Sequence, residues 1–171
     1  MEIIKKLINK PLNGQELMKI LNKKSNIMFY SELKDFNNID DILINNSCIL
    51  FEESTIGPIG HWVCVIKRSN NIIEFFDSFG AKPDSYLKYL PKNFRNKKGM
   101  SKPHLTCLLY DSPYRIEYSE YKLQNINAST CGRWCVSRIN NKNLSIDQFA
   151  KYYLNNKDYT HDQLVVINTI K

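Results

Sequence analysis

GHWVCVIKRSNNIIEFFDSFG, residues 60–80, holds two short β-branched and aromatic runs on either side of Ser69-Asn70-Asn71, three residues with strong turn preference. This is the pattern of a β-hairpin. Both runs are nearly continuously apolar, so the sheet that contains them is expected to be covered on both faces. If residues 68 and 71 pair across the turn, position 61 stands opposite 78, and a one-residue change of loop length sets it opposite 77. Either arrangement brings His61 and Asp77 together at the open end of the hairpin, where opposed Cβ atoms lie about 4.5–5.5 Å apart. A carboxylate there can hold the imidazole by its Nδ1–H, fix its tautomer and stabilise the imidazolium.

Outward from the hairpin, CILFEE (48–53) and LTCLLYD (105–111) read as further strands, and YRIEYSEYKLQ (114–124) as one more. Towards the start of the chain, Asn13 offers an N-cap to a short amphipathic helix with Leu17, Ile20 and Leu21 on one stripe, and a looser helical piece is expected over 31–43. Residues 81–103 predict a short helix at DSYLKYL followed by a loop that carries the basic cluster Lys92 to Lys102. Three helices close the chain, starting at Cys131, after Ser145 and after Thr160, the last with Thr160 and Gln163 at capping-box spacing. No internal repeat at a fixed period is evident. The expected organisation is a single domain over 1–171: helices in 1–45, a sheet in 48–122 and helices in 124–171.

At 171 residues, with 43% hydrophobic and 24% charged residues, the chain has the length and composition of one ordinary globular domain, which excludes low-complexity and fibrous classes. Its formal charge of +7 favours anionic partners such as nucleic acid. No stretch reaches the roughly 18–20 apolar residues of a membrane span, and MEIIKKLINK lacks the apolar centre of a signal peptide, so an intracellular protein without membrane contact is expected. Five cysteines, an odd number scattered through apolar segments, suit reduced thiols. Asn, Ile and Lys, at 20, 20 and 19, make up a third of the chain, a bias of AT-rich coding sequence that hints at a viral genome.

In LQNINASTCGRWCVSRI (123–139), Cys131 stands where small polar residues give way to a helix-like run. A thiol in a helix's first turn feels the positive end of the helix dipole, and an adjacent imidazolium lowers its pKa further, into the range of about 3.5–7.5 seen for activated cysteines. Gly132 leaves room for a substrate carbonyl, and Gln124, at the end of the preceding strand, carries an amide that could share an oxyanion with the Cys131 N–H. Nucleophile, base, orienter and donor for acyl transfer are then all present. Taken alone, His61 and Asp77 also read as an exposed strand start and a turn former; the third element tips the balance. Cys48, Cys64, Cys107 and Cys135 read as small buried hydrophobes. Cys131 and Cys135 are spaced for a metal, but His104 and His161 supply no matching ligands, so no metal or cofactor is expected. Trp62 and Trp134 read as core or cleft walls, with Trp62 able to pack over the His61 ring.

The order His61, Asp77, Cys131, with HW at a strand start, FFDSFG at the next strand's exit and Gln124 seven residues before a CGxxC helix start, resembles the adenain-type cysteine proteases. Their superfamily includes the ubiquitin-like-protein proteases; the CGRWC run and the DSFG exit look closer to the viral branch of adenoviruses, virophages and Maverick/Polinton elements. The resemblance covers about residues 48–140. It implies an α+β fold in which a central mixed sheet supplies His61 and Asp77 and a helix N-terminus supplies Cys131. It further implies an endopeptidase that cuts viral capsid or core precursor proteins at small, Gly-containing sites during virion maturation, in the virion or the infected cell, as a monomer. The stretch SPYRIEYSEYK has no counterpart of the cysteine that tethers the adenovirus enzyme's activating peptide, so a disulfide-linked activator is not expected, and Asp77 stands where that enzyme has Glu. Two other readings share the residues: a deconjugating protease for a ubiquitin-like modifier, and a basic nucleic-acid-binding or scaffold protein on an inactive protease fold.

Overall fold

The structure, a computed structural model, describes residues 1–170. Five strands form one mixed sheet in sequential order: β1 (Asn26–Phe29), β2 (Ser47–Glu53), β3 (Gly60–Lys67), β4 (Ile72–Phe76) and β5 (Arg115–Tyr118). The two outer pairings, β1 with β2 and β4 with β5, are parallel; β2–β3 and β3–β4 are antiparallel. Around them lie α1 (Glu2–Ile8), α2 (Gly14–Ile20), α3 (Lys92–Lys98), α4 (His104–Tyr110), α5 (Cys131–Asn140), α6 (Ile146–Leu154) and α7 (His161–Thr169). The architecture is α+β, a mixed sheet flanked by helices.

Alternation along the central strands builds two cores, as the nearly all-apolar runs require. Ile49, Cys64, Ile66 and Phe76 face α5, α6 and α7. Leu50, Val63, Val65, Ile73 and Phe75 face the other way, onto α4 and the short 3₁₀ turns. Helix α5 is the pillar of the first core, with nine of its ten residues buried. Near its C-terminal end the guanidinium of Arg138, fully buried, makes a two-point bridge to the Glu74 carboxylate of β4, both contacts at 2.8 Å. Capping boxes start three helices, from Asn13 with Glu16, Ser145 with Gln148, and Thr160 with Gln163.

Four expectations are corrected. LTCLLYD is helix α4, not a strand: Leu105, Leu108 and Leu109 recur at helical spacing and all face the core, leaving Cys107 exposed rather than buried. A short apolar run fits either period, and here the i, i+3, i+4 spacing wins. The basic stretch after Pro91 is not a loop throughout but helix α3, closed by Gly99 in the left-handed region. The N-terminal part is not only helical, because Asn26–Phe29 adds β1 to the sheet's edge. The hairpin turn has three residues: Arg68 N–H donates to Ile72 O, and Cys64 pairs with Phe76, a register that sets position 61 against 79 rather than 77 or 78. Among the described residues no helix is long and apolar enough to cross a membrane.

Candidate active site

The site lies on the sheet's rim. His61 is the second residue of β3, entered through Gly60, where a Cβ would strike the Phe51 ring at 2.4 Å and the Glu52 carbonyl at 2.5 Å. Only a glycine admits that close approach, and it fixes where the strand begins. In the observed register His61 stacks on Phe79, ring centroids 4.9 Å apart and planes 24° from parallel. Asp77 therefore meets the ring diagonally, from just past the end of β4, with 2.7 Å between Asp77 Oδ1 and His61 Nε2. Asp77 is in turn oriented by the Phe79 N–H, which donates to the same oxygen at 2.9 Å. The carboxylate thus holds Nε2 and not Nδ1 as expected; Nδ1 is the nitrogen left for the thiol.

Cys131 is the first residue of α5, with Thr130 before it as N-cap. Its sulfur interacts with the His61 ring and with the backbone N–H groups of Trp62 and Gly132. Burial alone would push this thiol up, but the imidazole and the two amides outweigh it and hold the pKa below its ordinary value. For His61, burial acts downward, yet the Asp77 carboxylate and the thiolate together raise it well above its ordinary value. Both shifts favour the same species, a thiolate beside an imidazolium.

Gln124 lies in the connection beyond β5, not at a strand end as expected, and it is buried. Its Oε1 accepts from Ser78 Oγ at 2.7 Å, and its Nε2 donates one hydrogen to Ala128 O at 2.7 Å. The backbone N–H of Gln124 donates to Ser78 O at 3.0 Å. The amide is therefore locked against the residue after Asp77, with a second N–H unspent. The Cys131 N–H, one of the first four of its helix, also has no intrahelical acceptor. Such a pair of donors is what a tetrahedral oxyanion needs.

Asp162 of α7, buried, holds this loop from beneath, a role that carries no sequence signal beyond an acid in a first helical turn. It accepts from Asn125 N–H at 2.9 Å, from Trp134 Nε1–H at 3.1 Å and from Thr130 Oγ1–H, and so ties the residue after Gln124 to the residue before Cys131. Gly132 does not open space for substrate as expected: a Cβ there would meet Leu17, Leu12 and Trp62 at 3.2–3.3 Å, so its function is close packing of α5 against α2 and β3. Trp62 turns away from the His61 ring, against Phe51, and donates Nε1–H to Leu12 O at 2.8 Å. Glu52, an acid that sequence reasoning passed over, pairs with His61 across β2–β3 and is buried. Its place at the end of an apolar strand opposite His61 was the signal available.

His104 and His161 make no bond to His61, Asp77 or Cys131 among the described residues; their ring nitrogens lie near Gly99 O (3.2 Å) and Leu123 O (3.3 Å), the latter beside Gln124. Among the described residues no group of three His, Cys, Asp or Glu is placed to hold a metal ion. No family model matches the chain. Over 165 residues it is 38% identical to a protein of Sputnik virophage named "Uncharacterized protein V9", an alignment that covers 93% of this chain and 94% of the relative.

Proposed function

We propose that this chain, which belongs to the family of that virophage protein, is a cysteine endopeptidase of the adenain type. One observation carries the reading: His61 is held by Asp77 through one ring nitrogen while its other side serves a Cys131 whose thiol is drawn towards thiolate. The Cys131 sulfur attacks the peptide carbonyl carbon, and the oxyanion takes hydrogen bonds from the Cys131 N–H and the free Gln124 N–H. His61 gives its Nδ1 proton to the departing amine, leaving an acyl-enzyme. Water then attacks that thioester, His61 takes up its proton, and the thiolate leaves. Asp77 keeps the ring aimed and its charge balanced throughout.

The virophage relative supports a viral setting, and in that setting the proposed substrates are capsid or core precursor proteins, cut at small Gly-containing sites in the virion or the infected cell. The exposed lysines of α3 and its flanks support retention of the protein on packaged DNA; that binding should weaken steeply with salt and survive Cys131→Ala. The proteolytic reading is tested by incubating wild type and Cys131→Ala with candidate precursors and sequencing new N-termini by mass spectrometry. Discrete cuts next to glycine with wild type alone are expected; the same fragments from both, or none from either, would refute it.

A further inference from the structure

The carboxyls around the site divide into three that are saturated and one that is not. Asp77 has His61 and the Phe79 N–H. Asp84 accepts from Tyr30 OH at 2.5 Å and from Thr106 N–H at 2.7 Å. Glu53 accepts from Ser31 N–H at 2.8 Å and Ser31 Oγ at 2.7 Å, with Lys98 Nζ 3.9 Å away. Glu52 is as deep, 7% exposed, and makes no hydrogen bond or ion pair among the described residues. Among the described residues only Arg95 Nε and Arg133 Nε are sealed from solvent without a partner, so the Glu52 oxygens still reach the surface, and beside the nucleophile their accepting capacity is unspent by the protein.

We propose that Glu52 is a substrate-reading residue, whose carboxylate receives a cationic side chain, lysine or arginine, of the polypeptide seated over Cys131. The inference rests on the nucleophile reading above and deepens it. His61, its neighbour across β2–β3, and Asp77, Asp84, Cys131, Tyr30 and Tyr86 all lie near enough to interact electrostatically with Glu52. His61 is the one cation among them, and it is already balanced by Asp77 and the thiolate, which leaves the local field negative on a chain of net charge +7. Burial pushes the Glu52 acid up to about 8, against the His61 charge and with the help of the nearby acids. Glu52 therefore stays largely protonated near neutrality, and a bound cation favours the ionised form.

Two methanethiosulfonate reagents of similar size, one ending in trimethylammonium and one in sulfonate, test this without any peptide substrate. Both consume the same thiolate, so the ratio of their rates at Cys131 cancels the thiolate fraction and reports local charge. In wild type the ratio should favour the cation and climb as pH rises through about 8, and again as His61 loses its proton; in Glu52→Gln only the His61 step should remain and, above the Glu52 step, the ratio should be about tenfold lower. Should that variant fold poorly, His61→Gln isolates the Glu52 step, because the ratio does not depend on how much thiolate is present. Peptides with lysine flanking the cleaved bond should likewise outperform norleucine analogues only while Glu52 is present. Fast reaction at Cys131 with a ratio that Glu52→Gln does not move, or that is flat with pH in His61→Gln, would overturn the role of Glu52 alone. A Cys131 no more reactive than free cysteine towards either reagent would overturn the nucleophile reading and this inference with it.

Discussion

Helix α5 carries charge to the sheet at both ends, and the two ends are built in opposite ways. At the C-terminal end four of the five N–H donors of Arg138 are occupied: Nε and Nη2 by Glu74, Nη1 by Asn141 O at 2.7 Å, and Nη2 again by Leu144 O at 2.8 Å. At the N-terminal end capacity is left over. Among the described residues one Gln124 N–H and the Cys131 N–H have no acceptor, and Glu52 has no donor. A buried ion pair that only holds a fold together must be saturated to offset its desolvation. Polar groups left open at a solvent-reaching rim are where another molecule can complete the set.

Breaking each end separately should give different kinds of loss. The largest is expected for Cys131→Ala, which should cut peptide hydrolysis by about 10⁴-fold or more while leaving the thermal midpoint close to wild type, since it removes one sulfur from the rim. Next comes Arg138→Met at the saturated end. It should cost about 3 kcal/mol in denaturant unfolding, because buried Glu74 keeps only the longer pairing with Arg68 Nε, 3.5 Å away, and adding Glu74→Leu should restore most of that. The protein that remains folded should still cleave. If Arg138→Met left stability untouched but erased activity, the division between the two ends would fail.

Gln124→Ala sharpens the comparison from the rim side. Loss of one oxyanion donor should lower kcat by about 10²–10³ with KM little changed. The smallest effect is one of pH. Cleavage should rise with pH as Cys131, lowered below its ordinary value, becomes thiolate, and fall as His61, raised above its ordinary value, loses its proton. Asp77→Asn removes a group that raises His61, so the alkaline limb should move to lower pH; an unmoved limb would mean that Asp77 does not govern the ring's charge.

Much of the rim was legible because its members sit at boundaries that local chemistry marks. A hairpin's open end placed His61 and Asp77 near each other, and a polar-to-apolar step placed Cys131 at a helix start. The details that failed depend on conformation that no local pattern sets. A three-residue turn shifted the register by one, which put Phe79 against the His61 ring and brought Asp77 in from the diagonal onto Nε2. Helix α4 was misread because its leucines satisfy both periods over so short a run. Asp162 acts through Thr130, 32 positions back along the chain, and Glu52 comes beside His61 only once β2 and β3 have paired, so neither stands out until the fold has closed. The Glu74–Arg138 pair left a trace, one acid and one base each set in an otherwise apolar run, but opposite charges alone do not say which will meet.

The central claim is that Cys131 and His61 share their proton as thiolate and imidazolium. The most direct test is the pH dependence of iodoacetamide alkylation at Cys131, followed by peptide mass spectrometry in wild type and His61→Ala. Wild-type Cys131 should stay reactive well below the pH at which free cysteine loses reactivity, and His61→Ala should move its profile upward, since burial then acts unopposed by the imidazole. Superimposable profiles, or a wild-type Cys131 that titrates at or above free cysteine, would contradict the account.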